Sequence, residues 1–233
     1  MTDAFQTASD ALSDFDGDVS ELARPFIEFL PVTGASVSTF GPLLDAETVS
    51  ATDARAERVD ELQFDLGEGP CWDALTTRSP VLEPNFAART SSTWPAFSDA
   101  IKSERIGALF AFPLLLGPLG VGAVDLYSVE PMALTADQQR QTQVLSSLVG
   151  RILLRHALRL SDPPTDRSMY SRRLIHQATG MVLIQAGVTA EDARLLIQAR
   201  AFAENRSMRE VADDVVERRI RFTRVIDRTE DTP

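Results

Sequence analysis

Apolar positions in the N-terminal half of the chain change spacing several times, and each change predicts a new secondary-structure element. Residues 20–30 place apolar side chains at helical spacing ahead of Pro31, which predicts a core-facing helix. GASVSTF at 34–40 alternates small or polar residues with apolar ones, as a strand does. Residues 1–19 are mostly polar and acidic, which predicts a mobile arm. Further strands are predicted near 47–52 and 79–83, and further helices at 54–62, 71–77 and 93–104.

Residues 107–124 contain no charged side chain and reach the length at which a membrane-spanning helix must be considered. Pro113 and Pro118 would interrupt such a helix, as would the glycines, so ALFAFPLLL, GPLG and VGAVDLY predict two buried strands joined by a turn. Thr135-Ala-Asp-Gln138 matches a capping box and predicts a long helix to about Leu160. Together these elements predict an α+β fold in which an antiparallel sheet is flanked by helices.

A proline pair divides the chain. Ser161-Asp-Pro-Pro-Thr-Asp166 disfavours a helix and predicts a linker between a domain at 20–160 and an all-α unit at 167–224, followed by a tail at 225–233. Three helices are predicted in that unit, at 169–186 before Gly187, at 189–205 and from 207 to about 224. Ser/Thr-x-x-acid boxes open the second and third of these helices. Spacing predicts that its core contains Leu174, Ala178, Met181 and Val182, then Ala193, Leu196, Ala199 and Phe202, then Val211, Val215 and Phe222.

Charge is distributed unevenly around this division, although the net charge of −11 by itself disfavours a nucleic-acid partner. Residues 1–166 carry 11 basic and 24 acidic side chains, net −13, whereas 167–228 carry 12 basic and 8 acidic ones, net +4. All 12 are arginine, whose planar guanidinium group binds phosphate and stacks on bases. Because Lys102 is the only lysine, the arginine preference also fits a general bias of the sequence, and charge alone leaves RNA binding open.

Composition is that of an ordinary globular protein, with 44% apolar and 24% charged residues. The single cysteine, Cys71, excludes an internal disulfide, and with only His156 and His176 it cannot complete a usual zinc site. The acidic first thirty residues lack a basic segment followed by an apolar run, so no secretory signal is recognised. We therefore expect a cytoplasmic protein that does not associate with membranes and has no metal or cofactor.

The C-terminal sequence IHQATGMVLIQAGVTAEDARLLIQARAFAENRSMREVADDVV resembles the ANTAR domain, a three-helix RNA-binding module of bacterial regulators, over about 167–224. FDLGEGPCWDAL resembles a motif of the GAF sensor domains that precede ANTAR domains in actinobacterial proteins, and the predicted element order agrees with GAF over about 20–160. The resemblance implies a transcription antitermination regulator. Such a protein binds paired hairpins in nascent RNA, and its sensor responds to a small-molecule or protein signal.

Candidate RNA-binding residues lie at the start of the first helix of the C-terminal unit and at the turn before its third helix. Hairpin loops expose unstacked bases, on which planar side chains can stack or to which they can hydrogen bond. The alternative is that the arginines only keep the helix soluble and that the glycine allows close helix packing. The candidates are Arg172, Arg173, His176, Gln177, Gly180, Arg206 and Arg209.

The N-terminal domain could hold a small molecule between its sheet and its helices. The candidate lining residues are Phe40, Trp72, Trp94 and Phe112, all of which are also ordinary core residues. We interpret Cys71 as a small buried apolar residue rather than a redox sensor, because no basic side chain lies near it in the sequence. His156 is interpreted as a surface or packing residue of the long helix rather than a haem ligand.

Three other functions are considered. An enzyme is disfavoured, because GAF domains that reduce methionine sulfoxide use more than one cysteine and no catalytic motif is evident. DNA binding through the third helix is disfavoured by Asp213, Asp214 and Glu217, which would face phosphates. A protein-interaction module is the third, and a homodimer is expected through Leu145, Leu148 and Ile152, which have a/d-like spacing in the long helix.

Overall fold

The structure is a computed structural model that describes residues 2–40, 46–86, 88, 93–159, 167–204 and 206–222. The chain divides into two compact units, Met1–Pro163 and Pro164–Pro233, each with its own hydrophobic core. The predicted linker at 161–166 and the predicted tail at 225–233 lie outside the described residues.

The N-terminal unit is built on a five-stranded antiparallel sheet. Its strands are β1 Gly34–Thr39, β2 Glu47–Ala51, β3 Val81–Glu83, β4 Ala108–Leu116 and β5 Leu119–Ser128. Their order across the sheet is β2-β1-β5-β4-β3. Its centre is the predicted hairpin of β4 and β5, which confirms that the uncharged segment forms strands rather than a helix. Gly117 sits at its tip with a φ of 57°, in the left-handed region that glycine adopts without strain.

A helix, α1, occupies Thr2–Ser13, where the sequence predicted a mobile arm. That prediction is wrong, because Phe5, Ala8 and Leu12 share one side of the helix and pack into the core. The acidic and polar residues between them face solvent and hide this narrow apolar stripe in the composition of the segment.

The remaining helices of this unit follow the predicted order with shifted limits. The segment predicted as one helix at 20–30 is a 3₁₀ turn at Val19–Glu21 followed by a short α-helix, and the segment at 93–104 likewise ends in a 3₁₀ turn at Ile101–Glu104. The predicted capping box opens the long helix, since Gln138 donates its backbone N–H to Thr135 Oγ1 over 3.2 Å and accepts the Thr135 N–H over 2.8 Å. The helices are α2 Arg24–Phe29, α3 Ala54–Leu66, α4 Pro70–Thr77, α5 Pro95–Ala100 and α6 Ala136–Arg159.

The sheet has two differently covered faces. Along β5, Val124 and Leu126 point to the face covered by α1, α2 and α6, whereas Ala123, Asp125 and Tyr127 point to the face covered by α3, α4 and α5. This alternation follows from the two-residue period of a strand. The sheet is therefore a middle layer, and the carboxyl group of Asp125 lies on its α3 face, where it meets Gln63.

The long helix α6 uses its apolar stripe within the unit. Leu145 and Ile152 are buried against the sheet, and Leu148 is half-buried beside them. These three residues were predicted as a dimer surface from their spacing. The structure corrects that prediction, because the same spacing serves the intramolecular core.

The C-terminal unit consists of α7 Arg167–Ala186, α8 Ala190–Glu204 and α9 Met208–Val216. Gly187 ends α7 with a φ of 68°, and Ser207 forms the predicted capping box with Glu210. The third helix is shorter than predicted. It ends at Val216 because Arg218 adopts a left-handed φ of 61° and the amides of Arg219 and Ile220 turn back to the Asp214 carbonyl.

The core of this unit agrees with the sequence prediction for α7 and α9 but not for α8. On α8 the buried residues are Ala193, Ile197 and Ala201, whereas Leu196 and Phe202 are 36% and 53% exposed, and Ala199 is exposed too. Apolar residues surround most of α8, so their spacing does not select one face. The prediction of Leu196, Ala199 and Phe202 as core residues is therefore wrong.

Candidate functional site

One face of α7 is available to a partner. Arg173, Gln177, Gly180 and Ile184 follow at steps of four, three and four residues, which places them on one side of a helix. Gln177 and Gly180 are exposed, and so is the neighbouring His176.

Gly180 bears directly on the alternative that this glycine allows close helix packing. Among the described residues, a Cβ added at Gly180 would meet no atom within 4 Å beyond its own helix, so no neighbour in this unit requires glycine there. Ile184, on the same side, is 80% exposed. Arg172 and Arg173 belong to α7, but their side chains lie outside the described residues.

The turn before α9 is held by Arg206, a predicted RNA contact. Its Nη2 lies 2.6 Å from Asp214 Oδ2 and its Nη1 3.0 Å from Glu204 Oε2, and Nη2 also donates to the Glu210 carbonyl over 3.2 Å. Hydrogen bonds to Asp214 and then to Glu204 raise the pKa of Arg206. Its donors are thus engaged within the unit. Arg209, by contrast, is exposed, and no described residue pairs with it.

The acidic residues of α9 are largely neutralised. Asp214 accepts hydrogen bonds from Arg219 and Arg206. Both bonds lower the pKa of Asp214, and the bond from Arg219 has the larger effect. Asp213 also pairs with Arg219. Asp213 and Asp214 would therefore repel a phosphate backbone less than their sequence suggests, whereas Glu217 makes no such pair among the described residues.

The four aromatic residues predicted to line a pocket do not share one. Phe40 and Trp72 lie together, with ring centroids 4.8 Å apart, beside the buried Cys71. Trp94 belongs to a neighbouring cluster with Phe97. Phe112 points to the opposite face of the sheet, into the core under α1, α2 and α6, so the prediction must be corrected for this residue.

A buried polar cluster on the α3 face was missed by the sequence analysis. Gln63 of α3 is its hub: its Nε2 donates to Asp125 Oδ2 over 2.5 Å, and its Oε1 accepts the Cys71 amide over 2.8 Å. The Gln63 carbonyl also accepts the Trp72 indole N–H over 2.8 Å. Beside it, Asp60 Oδ2 accepts the Thr48 hydroxyl over 2.9 Å. One signal was visible in the sequence, since Asp125 interrupts the otherwise apolar strand VGAVDLY.

Burial governs the ionisation of this cluster. It raises the pKa of Asp60 well above its usual range, and the Asp125 charge raises it further. Burial also raises the pKa of Asp125, to about 6, against the lowering effect of the Gln63 hydrogen bond. The Cys71 thiol has a raised pKa because of burial and the charges of Asp125 and Asp60, which keeps it protonated and unreactive.

Family models identify both units. The GAF domain model matches residues 1–154, and the ANTAR domain model matches residues 165–216. The chain belongs to the GAF domain family. With ANTAR following GAF it has the architecture of antitermination regulators, in which ANTAR is the RNA-binding part and GAF the signal sensor, as the sequence resemblance predicted. The predicted fold class, an α+β GAF domain followed by an all-α ANTAR domain, is confirmed.

Solved structures support the GAF fold. The GAF domain of an Acinetobacter phosphoenolpyruvate-protein phosphotransferase aligns with a TM-score of 0.55 at 10% identity, covering 70% of this chain and 97% of that one. The corresponding domain from Coxiella burnetii gives 0.55 at 10% identity, covering 68% and 95%. The chromophore-binding domain of the R. palustris bacteriophytochrome RpBphP3 gives 0.51 at 10% identity, covering 67% and 62%. At this identity the likeness shows the fold alone. No curated protein matches the chain.

Other candidate chemistry is limited in the part of the chain that the structure describes. There, no three His, Cys, Asp or Glu side chains converge as a metal site would require, and no helix combines the length and apolarity needed to span a membrane. His156 is exposed on α6 of the GAF domain. Cys71 is fully buried in it, as interpreted from the sequence.

Proposed function

We propose that this protein is a cytoplasmic, signal-responsive regulator that promotes transcription antitermination by binding paired hairpins in nascent RNA through its ANTAR domain. The observation that carries the proposal is the match of the ANTAR family model over residues 165–216. The GAF domain would receive a small-molecule or protein signal. The protein acts as a regulator rather than an enzyme in this proposal, since both domains belong to regulatory families.

We assign the RNA contact to the exposed face of α7. Arg172 and Arg173 would bind phosphates, while His176 and Gln177 would stack on or hydrogen bond to unpaired loop bases. Gly180 supports this assignment. A glycine within a helix lowers the stability of that helix, and no described neighbour requires glycine at this position. A close approach of RNA to the α7 backbone would explain why glycine is present. Arg209 would add a phosphate contact, whereas Arg206 would hold the turn that presents it.

The test is a gel-shift titration of the full chain with a tandem-hairpin RNA, a single hairpin and duplex DNA at several salt concentrations. We expect preference for the tandem hairpin. Changing Arg172→Ala and Arg173→Ala together should weaken binding and reduce the salt slope by roughly 0.7 to 0.9 for each phosphate that the variant no longer neutralises.

The matched control is Arg24→Ala with Arg140→Ala, two exposed arginines of the GAF domain whose removal changes the net charge equally. If the α7 pair and the control pair give the same affinity and slope, the assignment to α7 is wrong. If duplex DNA competes better than RNA, the protein is a DNA-binding regulator instead.

A protein-interaction role is a second candidate, favoured by the exposed apolar side chains of α8. Leu195, Leu196 and Phe202 are all at least one-third exposed. With the α6 stripe used inside the GAF domain, these side chains are the surface through which a homodimer is proposed. Analytical ultracentrifugation of the full chain should show a dimer that Phe202→Glu dissociates, and a monomer at all concentrations would exclude the homodimer.

A further inference from the structure

Two buried carboxyl groups join α3 to the sheet of the GAF domain, and we propose that they form a proton-binding site that sets how firmly α3 packs on the sheet. The site consists of Asp60 on α3 and Asp125 on β5. It concerns the GAF domain alone and holds whether or not the ANTAR domain binds paired hairpins.

Each carboxyl group has one satisfied oxygen and one that lacks a donor. Asp60 and Asp125 are 0% and 3% exposed. Their Oδ2 atoms accept hydrogen bonds from Thr48 and Gln63 respectively. Among the described residues, no hydrogen-bond donor reaches Oδ1 of either aspartate. A buried acceptor without a donor is costly, so this pair requires a donor that the ordinary side chains do not supply.

The groups that face the pair are uncharged or acidic. They come from every neighbouring element: Ser38 of β1, Thr48 of β2, Gln63 of α3 and the protonated Cys71 of α4. On β5 itself, the Tyr127 hydroxyl donates to Asp53, and the Arg55 guanidinium group lies over the Tyr127 ring. No described cationic side chain forms an ion pair with Asp60 or Asp125. Two ionised carboxylates would therefore repel each other in a site of low dielectric without a compensating positive charge.

A single proton resolves both problems. Protonated Asp60 becomes a hydrogen-bond donor to Asp125, which removes one charge and satisfies the acceptor. A hydrated metal ion fits less well, since the cavity beside Asp125, lined by Ser36, Val59 and Tyr127 among others, is too small for one water molecule. The geometry thus suits a proton better than a larger cation.

The direction of the pH effect follows from linkage. Both folded-state pKa values lie above the ordinary value of about 3.9, so the folded domain binds more protons than the unfolded chain as pH rises above that value. Stability contributed by the pair is therefore greatest in acid. The contribution of Asp125 to stability is lost between about pH 4 and pH 6. The contribution of Asp60 is lost over a range that extends to higher pH.

The first test is hydrogen exchange of the α3 amides in the full chain between pH 5 and 8.5, corrected for intrinsic exchange. We expect the protection factors of the α3 amides to fall as pH rises. The fall should reach about tenfold per pH unit for each proton that the site releases. Asp60→Asn and Asp125→Asn should flatten this dependence, because an amide supplies donors and carries no charge. Asp99→Asn, an exposed aspartate paired with Lys102, is the matched control and should leave the dependence unchanged.

The second test does not depend on variants that fold. Carbon-13 NMR of the aspartate carboxyl groups of the unaltered full chain should show two groups that titrate above all the others. If every aspartate titrates below pH 5, or if α3 protection does not change with pH, the proposal is wrong. If both groups are ionised at pH 7 and Ca²⁺ or Na⁺ restores protection after EDTA treatment, the site binds a metal cation rather than a proton.

Discussion

Arg206 and Asp214 form an ion pair with 2.6 Å between Nη2 and Oδ2, which ties the turn before α9 to the last turn of that helix. Since Arg219 holds the same carboxylate from the other side, Asp214 fixes both ends of α9. Two arginines in an arginine-rich RNA-binding domain are thus used for its own structure.

We expect Arg206→Ala to lower the thermal midpoint of the ANTAR domain more than Arg209→Ala does, because Arg206, unlike Arg209, bonds to several acceptors among the described residues of the domain. Differential scanning calorimetry measures both. At temperatures where both variants are folded, Arg209→Ala should weaken RNA binding more than Arg206→Ala. If Arg206→Ala weakens RNA binding more than Arg209→Ala does, Arg206 contacts RNA directly.

Gly180→Ala should move stability and RNA affinity in opposite directions. The added Cβ meets no described neighbour, so helix propensity should stabilise the domain by roughly 0.5 to 1 kcal/mol, while the methyl group obstructs close approach to α7. Urea unfolding and gel shift measure the two effects. Gly187→Ala is the contrasting variant, expected to destabilise because Gly187 has a φ of 68°. Unchanged RNA affinity of Gly180→Ala would remove this face from the interface.

Ile197 and Phe202 test the orientation of α8. Ile197→Ala should cost about 2 to 5 kcal/mol of unfolding free energy, because it opens a cavity in the core. Phe202→Ala should change the stability of the monomer by about 0.5 kcal/mol or less, since its ring is more than half exposed. Denaturant unfolding at low protein concentration distinguishes them, and a larger cost for Phe202→Ala than for Ile197→Ala would mean that α8 packs as the sequence predicted.

Leu12 tests whether α1 belongs to the GAF core. Leu12→Ala should destabilise that domain by about 2 to 5 kcal/mol, whereas Gln6→Ala, on the exposed side of α1, should have little effect. Thermal unfolding followed by near-UV circular dichroism reports the change. If Leu12→Ala leaves the thermal midpoint unchanged, residues 1–19 form a mobile arm, as the sequence predicted.

The features that sequence predicted well have local signals. The β4–β5 hairpin is marked by Pro118 and glycines at its turn, and the starts of α6 and α9 are marked by capping boxes whose partners lie three residues apart. Such contacts form between neighbours in the chain, so the sequence displays them directly.

The features that could not be predicted from the sequence depend on which side of a helix or strand packs against the rest of the domain. ALFAFPLLL is apolar throughout, so nothing in it shows that Phe112 points away from Phe40 and Trp72. α8 has the same ambiguity. Asp60 and Asp125 are far apart in the chain, and a carboxyl group on an amphipathic helix predicts solvent exposure unless its tertiary partner is known.

The three-layer arrangement of the GAF domain also has a consequence for its biosynthesis. Strands β1 to β5 emerge from the ribosome before α6, yet Leu145, Val149 and Leu153 of α6 complete the core beneath them. A nascent chain that stops short of residue 136 leaves apolar side chains of β4 uncovered and is expected to aggregate or recruit chaperones. We therefore expect the sensor to reach its native fold only after its last helix, Ala136–Arg159, has been synthesised.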